Sequence, residues 1–414
     1  MMESGLTSLD HFQQELQFPS LLIRNKQIAQ PGICVVIPAR DEEAVIGETL
    51  DWLGAFLSPV DRVHVIADRC TDGTARIAWK HGAIVHVRRG DGEAGKGAAL
   101  RWWLEQTSNS GNAEDPILVL DADSRISPDL IDRIRSVIRS GQQVIQVRVA
   151  PLVGSGSPVA LLAALSEVVE QRVKDPLRSR FGWPVRLRGT GMVLQRGLLE
   201  MLSSRLTTFV EDIELTLLLV ERRIPICFLD DVFIADPKPE NVASASRQRA
   251  RWFRGQLHVL RVHRKTVLRI MGRGPAGWSL LASIFLKPTT LFLLVRTILF
   301  FLSLAGALVC GETLAGISAG LLGTGLIVES GFYLLGLRYV PDQRQMLLAL
   351  ARVPLYVLMW FRSLCFSMLG GDTWLRVRPG IVLTERIGGF QPDQRQDRKP
   401  VQSRSPAAEV FSQA

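Results

Sequence analysis

The stretch Pro116-Ile117-Leu118-Val119-Leu120-Asp121-Ala122-Asp123 decides how this chain is read. A short apolar run bounded by acidic residues reads as a strand, and two aspartates stand where it ends. Carboxylates at i and i+2 beyond a strand can turn toward one ion, and hard oxygen donors suit Mg2+ or Mn2+ bridging a diphosphate. A pair of this kind is equally at home in a solvated loop, so its meaning depends on what surrounds it. Around it, candidate strands at 33–38, 63–68, 84–87, 117–121 and 144–149 alternate with helical apolar spacing near 42–57, 73–81, 94–106 and 127–140. That alternation predicts an α/β domain, a sheet with helices on both faces, whose ligand site lies at the carboxyl ends of the strands. Asp68 and Asp121 fall at two of those ends.

The whole chain has 414 residues, 47% of them apolar, and a net charge of +9 at pH 7. Its mean hydropathy is +0.17. Such length corresponds to roughly two to three domains, and so apolar a composition excludes disorder for most of it. The charge alone would suit a nucleic-acid binder, but the hydropathy says that part of the chain leaves water. Cys34, Cys70, Cys227, Cys310 and Cys365 are scattered without CxxC spacing, which supports neither a disulfide framework nor a structural zinc site. The extension 1–30 is mixed polar with no continuous apolar run, so the first part of the chain is expected to start in the cytoplasm.

Beyond Met271 the composition changes. Residues 291–310 are a 20-residue run whose one charge is Arg296, and 313–337 a 25-residue run whose one charge is Glu329. Each is long enough to cross a hydrocarbon layer of about 30 Å at ~1.5 Å per residue. The alternative is two buried helices of a soluble domain, although globular helices rarely stay uncharged for so long. The connector Gly311-Glu312 makes the pair a hairpin with its tip on the far side. Arg261, His263, Arg264, Lys265, Arg269, Arg273 and Lys287 precede it and Arg338 and Arg344 follow, so the positive-inside bias puts both ends in the cytoplasm. A third apolar segment, 346–371, carries Arg352, Pro354 and Arg362. As a span it would send Arg376, Arg378, Arg386, Arg395, Arg398, Lys399 and Arg404 outside, so an amphipathic or re-entrant helix at the inner interface is favoured over a third crossing. The expected organisation is an extension at 1–30, an α/β domain at 31–270, a membrane region at 271–371 and a basic, partly disordered cytoplasmic tail at 372–414.

Several other clusters bear chemistry. In Asp68-Arg69-Cys70-Thr71-Asp72-Gly73-Thr74, Asp72 or Thr71 can cap the helix that follows, whereas Asp68 has no helix to cap and is the better ligand contact. Gly95-Lys96-Gly97 opens a helix where amides and an ammonium can meet a phosphate, outside any Walker pattern. Glu211-Asp212-Ile213-Glu214 reads as an acidic first turn of a helix or, at Asp212, as a general base taking a proton from a hydroxyl. Arg247-Gln248-Arg249-Ala250-Arg251-Trp252-Phe253-Arg254 suits nucleic acid or a membrane surface, and its place just ahead of the hairpin favours the membrane or a diphosphate.

Seven motifs come in a set order across 36–252. They are Val36-Ile37-Pro38-Ala39-Arg40-Asp41-Glu42-Glu43, Asp68 with Asp72-Gly73-Thr74, Lys96, Asp121-Ala122-Asp123, Gly189-Thr190-Gly191-Met192, Glu211-Asp212, and Gln248-x-x-Arg251-Trp252. The series resembles the family 2 glycosyltransferases, and within them the membrane-bound cellulose, hyaluronan and poly-N-acetylglucosamine synthases. The resemblance implies a GT-A fold, a Rossmann-like nucleotide-sugar-binding sheet, and inverting hexosyl transfer. It implies that Pro38, Ala39, Glu42, Asp68, Lys96 and Asp121 bind the nucleotide sugar, and that Asp123 with Asp121 holds Mg2+ or Mn2+. It further implies Asp212 as general base beside Glu211, and Gln248, Arg251 and Trp252 holding the diphosphate and framing the acceptor site. Gly189, Thr190, Gly191 and Met192 would line the acceptor or donor pocket. The sequence departs from the family's Tyr-Asn-Glu at Arg40-Asp41-Glu42, from its paired aspartates at Ala67-Asp68, and from its serine at Cys70. Trp374-Leu375-Arg376-Val377-Arg378 resembles a basic segment of the same group, or is a juxtamembrane stretch that binds anionic lipid.

The expectation is thus a multi-pass protein of the inner (plasma) membrane with a cytoplasmic, metal-dependent catalytic domain. It would move sugar from a nucleotide-sugar donor to a lipid-linked or growing glycan acceptor, among membrane lipids and without nucleic acid. Two spans make a narrow pore, so a homo-oligomer or an export partner enters the reading. The alternatives are a non-processive transferase adding one sugar, a transporter whose path is lined by Arg296, Glu329, Arg352 and Arg362, and a binding-only protein.

Overall fold

The computed structural model describes residues 32–361 apart from positions 91, 94, 110, 153–157, 238–241, 288, 341, 355 and 359. The extension 1–30, the second part of the 346–371 segment, the Trp374 to Arg378 stretch and the tail lie outside the described residues. In chain order the elements are β1 (Cys34–Ala39), α1 (Ile46–Gly54), β2 (Arg62–Asp68), α2 (Thr74–Lys80), β3 (Ile84–Arg88), α3 (Lys96–Gln106), β4 (Pro116–Val119), β5 (Arg125–Ile126), α4 (Leu130–Arg139) and β6 (Val144–Leu152). Then follow α5 (Pro158–Val168), a π-helical turn (Val169–Lys174), α6 (Asp175–Arg180), β7 (Met192–Gln195), α7 (Arg196–Ser203), α8 (Glu211–Glu221) and β8 (Cys227–Pro237). The last elements are α9 (Val242–Val262), α10 (Arg264–Met271), α11 (Pro275–Phe285), α12 (Thr289–Cys310), α13 (Thr313–Leu337) and α14 (Gln343–Leu350).

The strands form one mixed sheet in the order β3-β2-β1-β4-β7-β6-β8-β5. β1 pairs in parallel with β2 and β4, and β7 runs antiparallel between β4 and β6. Side chains alternate between two cores with the period of a strand. Val35, Ile37, Val65, Leu118 and Ile145 pack with Ile46, Leu50, Leu53, Ile131 and Ile134 of α1 and α4. Val36, Ile66, Ile117, Val119 and Val144 pack on the other face with Leu100 and Trp103 of α3, Leu199 of α7 and Leu215 and Leu218 of α8. Helices on both faces leave the strands no wet side, which is why these runs are apolar throughout. Trp103 is the largest of the fully buried side chains, and its loss would cost about 3–5 kcal/mol.

A third core joins α8 to the helices that follow: Ile213, Leu217 and Val220 meet Val259, Val267, Ile270, Leu280, Leu281 and Ile284. α11, inside the region assigned from sequence to the membrane, therefore packs on the α/β domain. α12 and α13 cover the two apolar runs read from the sequence, and both are long and apolar enough to cross a membrane. Their apolar windows are 0% and 6% buried, so the side chains face outward over most of the hairpin. Gly336 lets α13 touch the π-helical turn, since a Cβ there would lie 2.5 Å from Val169 Cγ2. α14 ends at Leu350 and packs on α5, with Tyr356 and Trp360 continuing that contact beside Leu162.

Candidate active site

The order of strands reverses between β1 and β4, the place at which an α/β sheet opens a crevice at its carboxyl edge. A cleft of about 400 Å³ occupies that position, within the roughly 300–1,000 Å³ of small-ligand pockets. Its rim is shaped by two residues in left-handed backbone, Asp41 (φ 55°) after β1 and Arg69 (φ 53°) after β2. Non-glycine residues hold that conformation only where the surroundings impose it. Here the Thr71 N–H donates to Asp41 Oδ1 at 2.5 Å and ties the two loops together. Asp72 Oδ1 accepts from the Thr74 N–H at 3.0 Å, the local capping role. Asp41, Cys70 and Asp72 form the one group among the described residues whose ligand atoms all lie within 4.8 Å. Burial pushes the Cys70 thiol up to about 11, so it stays protonated at neutral pH and the three residues work as a clasp.

Asp68 ends β2 in the cleft wall, where Arg88 donates to its Oδ1 at 2.8 Å and Arg69 Nε lies at 3.2 Å. Lys96 opens α3 and sends its ammonium across the cleft to Asp121 Oδ1 at 2.5 Å and to the Gly189 carbonyl at 2.7 Å. Burial opposes its charge, but Asp121 and then Glu211 outweigh it and raise the Lys96 pKa. Asp123 is treated differently. Burial first, then the carboxylates of Asp236, Asp121 and Glu42, push it up to about 8. Surplus negative charge on these oxygens suits a hard divalent cation, although among the described residues no three of these carboxylates bring their oxygens within 4.8 Å of one another.

The third wall comes from α8 and α9. Glu211 and Asp212 form the first turn of α8, where the helix dipole favours anions. Burial raises both, Glu211 to about 8 with Asp212 as the next cause. Arg186 pulls Asp212 in the opposite sense, as does the hydrogen bond from the Ile213 N–H. Glu214, one turn further, turns away: it accepts the N–H groups of Thr207 and Thr208 at 3.0 Å and pairs with His263 at 3.0 Å. Gly255 brings α9 against Val210, since a Cβ there would come within 2.6 Å of Val210 Cγ1. That approach sets Gln248, Arg251 and Trp252 beside the two carboxylates. Arg249 stacks 4.5 Å from the Trp360 ring centre and donates to the Tyr356 hydroxyl at 3.2 Å, so the segment after α14 closes one end of the cleft.

Pro38, Ala39, Glu42, Asp68, Lys96, Asp121, Asp123, Gly189, Thr190, Glu211, Asp212, Gln248, Arg251 and Trp252, all singled out from the sequence, line this one cleft. Gly191 and Met192 lie behind the wall instead. Met192 is fully buried in β7, and Gly191 donates to the Val119 carbonyl at 2.9 Å beneath it. β7 lies inside the sheet between β4 and β6, which leaves Met192 no path to the cleft. Sequence reading missed Asp236, Arg186, Arg188, Lys287, Tyr356 and Trp360, which also line it. Asp236 stands near the end of β8 much as Asp68 ends β2, a signal that was there to be used.

The family described as glycosyltransferase like family 2 matches residues 31–255, more than half of the chain. The chain belongs to this glycosyltransferase family. Its sheet and flanking helices are the GT-A arrangement, here followed by C-terminal apolar helices. The glycosyltransferase is 28% identical over 245 residues to beta-monoglucosyldiacylglycerol synthase of Synechocystis sp., a match covering 55% of this chain and 48% of the relative. Probable glycosyltransferase YdaM of Bacillus subtilis is 27% identical over 246 residues, 56% of each chain. The chain thus spans about half the length of the curated relatives it matches. Among solved structures, mannosyltransferase PcManGT from Pyrobaculum calidifontis, held with GDP-Man and Mn2+, gives a TM-score of 0.42 at 17% identity, covering 78% of this chain and 87% of that one.

Proposed function

We propose that this glycosyltransferase is a membrane-bound, inverting, metal-dependent enzyme that transfers a hexose from a nucleotide sugar to a lipid-linked or growing glycan acceptor. The observation that carries the reading is one cleft in which Asp121 and Asp123, Glu211 and Asp212, and Gln248, Arg251 and Trp252 face one another. Asp123 with Asp121 would hold the divalent ion, which supplies charge to the departing diphosphate. Asp212 takes the proton of the acceptor hydroxyl as that oxygen attacks the anomeric carbon. The bond from that carbon to the diphosphate breaks, its electron pair leaves with the nucleoside diphosphate, and Arg251 opposes the charge that develops. One displacement with one base gives inversion. Ion pairs to Asp68 and Lys96 keep the nucleotide end of the cleft rigid.

Membrane residence is supported by α12 and α13, whose apolar faces stand exposed where a soluble protein would bury them. α14 lies against α5, which supports the amphipathic reading of the start of 346–371 at the inner interface. Against a transport path, Arg296 donates to the Gly325 carbonyl at 3.3 Å and Glu329 pairs with Lys174 at 2.8 Å, so both charges are spent on holding the hairpin.

A screen of nucleotide sugars against full-length protein in membranes, with Mg2+ or Mn2+, tests the proposal by release of nucleoside diphosphate. Turnover of a donor that needs both the metal and a lipid or glycan fraction is the expected result. A panel in which no nucleotide sugar is consumed would refute it. Product length separates repeated from single addition.

A further inference from the structure

Arg186 lines the cleft, and its buried Nε has no hydrogen-bond partner among the described residues. Trp360 lines it too, and its buried Nε1 likewise has none. Arg188, which also lines the cleft, has a buried Nε unpartnered among the described residues as well, and unpaired donors in the wall of one cavity favour a ligand that accepts. The terminal nitrogens of three neighbouring cations are already engaged. Arg188 is paired with Glu167 at 3.2 Å and with Asp175. Arg178 is held by Asp175 at 2.7 Å, and Lys174 by Glu329 at 2.8 Å. Lys287 has its nearest acid oxygen, on Glu167, only at 3.9 Å. It also lines the cleft and stands two positions ahead of α12. Burial first, and Arg186 next, draw its ammonium down to about 8, a strain that an anion at this point would relieve.

We propose that Arg186, Lys287 and Trp360 form an acceptor subsite that binds a phosphate ester, beside the hydroxyl presented to Asp212. A guanidinium fork, an ammonium and an indole N–H supply the donors that a phosphate's several oxygens accept. Arg186 acts electrostatically on Asp212, so an anion held there keeps the acceptor within reach of the base. The foot of the exposed apolar α12 is where a phospholipid headgroup would enter, and a soluble sugar or glycerol phosphate has the same chemistry. The inference rests on the glycosyltransferase reading only for the word acceptor.

The test uses full-length protein in phosphatidylcholine nanodiscs and follows acylation of Lys287 by mass spectrometry, which needs no turnover. Phosphatidylglycerol in the disc, or glycerol phosphate in solution, should slow acylation about tenfold, the effect of ~1.4 kcal/mol. The first response alone assigns a lipid source and the second a soluble one. Diacylglycerol, which has the hydroxyl without the phosphate, should not protect. Arg186→Gln should abolish protection and Arg186→Lys restore part of it. Lys287→Gln, read by phosphatidylglycerol retained in native mass spectrometry, covers the case in which the Arg186 variant fails to fold. Equal protection by diacylglycerol, or protection that survives Arg186→Gln, overturns the subsite. Protection by UDP with Mn2+ that Arg186→Gln removes would give these residues to the donor diphosphate instead and overturn it too. Absence of any nucleotide-sugar turnover would count against the enzyme reading and leave this binding result intact.

Discussion

Lys174 Nζ lies 2.8 Å from Glu329 Oε1, joining the π-helical turn to a charge set within a long apolar helix. Both side chains are largely buried, 12% and 17% exposed. Removing one partner of such a pair costs more than replacing both by apolar groups. Glu329→Leu should therefore lower the stability of the full chain by about 3 kcal/mol, with Lys174→Met/Glu329→Leu recovering most of it. Thermal unfolding in nanodiscs reads the difference, and equal losses in the single and double variants would show that the pair does not dock the hairpin.

Asp212→Asn should reduce sugar transfer by about 10²–10⁴-fold while nucleoside diphosphate still binds. Full transfer by this variant would remove Asp212 from its role.

The same base predicts a pH profile. Burial raises both Asp212 and Glu211, the latter to about 8, and a base works only when ionised. Transfer should fall as pH drops through a limb raised above the ~4 of an ordinary carboxylate. Glu211→Gln takes away a neighbouring negative charge and should move the limb to lower pH. A limb near 4 in the unaltered enzyme would contradict the geometry.

Asp123 carries a stability prediction. Its folded pKa, pushed up to about 8 from an ordinary 3.8, means that the folded state binds the extra proton between those values. Stability of the metal-free protein must then decline as pH rises from about 4 to about 8. Asp123→Asn should raise Tm at pH 8, change it little at pH 4, and abolish any gain in Tm on adding Mn2+. A Mn2+ gain that persists in the variant would place the ion elsewhere.

Gly191 has φ 66°, and a Cβ there would lie 2.6 Å from Ile234 Cδ1 and 3.3 Å from Val147 Cβ. Gly191→Ala should destabilise the domain by about 1–3 kcal/mol through backbone strain and crowding of the core. Urea unfolding measures this, and a neutral substitution would mean that the β7 turn is looser than the packing indicates.

The alternation of apolar runs with helical spacing was enough to locate β1, β2, β3, β4 and β6 and the helices between them, because strand and helix periods are local properties of the chain. Lengths of uncharged sequence likewise marked α12 and α13. The cleft-lining carboxylates were legible at strand ends, where Asp68 had no helix to cap and Asp121 closed an apolar run. Less legible was the division of labour in Glu211-Asp212-Ile213-Glu214. Three carboxylates in one turn look alike in one dimension, yet the helix turns Glu214 toward Thr207 and His263 and leaves Glu211 and Asp212 in the cleft.

Local pattern and composition therefore carry the α/β class, the apolar hairpin and most of the acidic residues. They carry no information on which distant segments meet. Arg186 and Lys287 are 101 residues apart, and neither has a local signature. Packing of α11 on α8 and of the segment after α14 on α9 brings Lys287, Tyr356 and Trp360 to the same cavity as Asp212. Burial then sets their charges, because desolvation and neighbouring ions depend on the folded surroundings and not on the residues alongside in the chain.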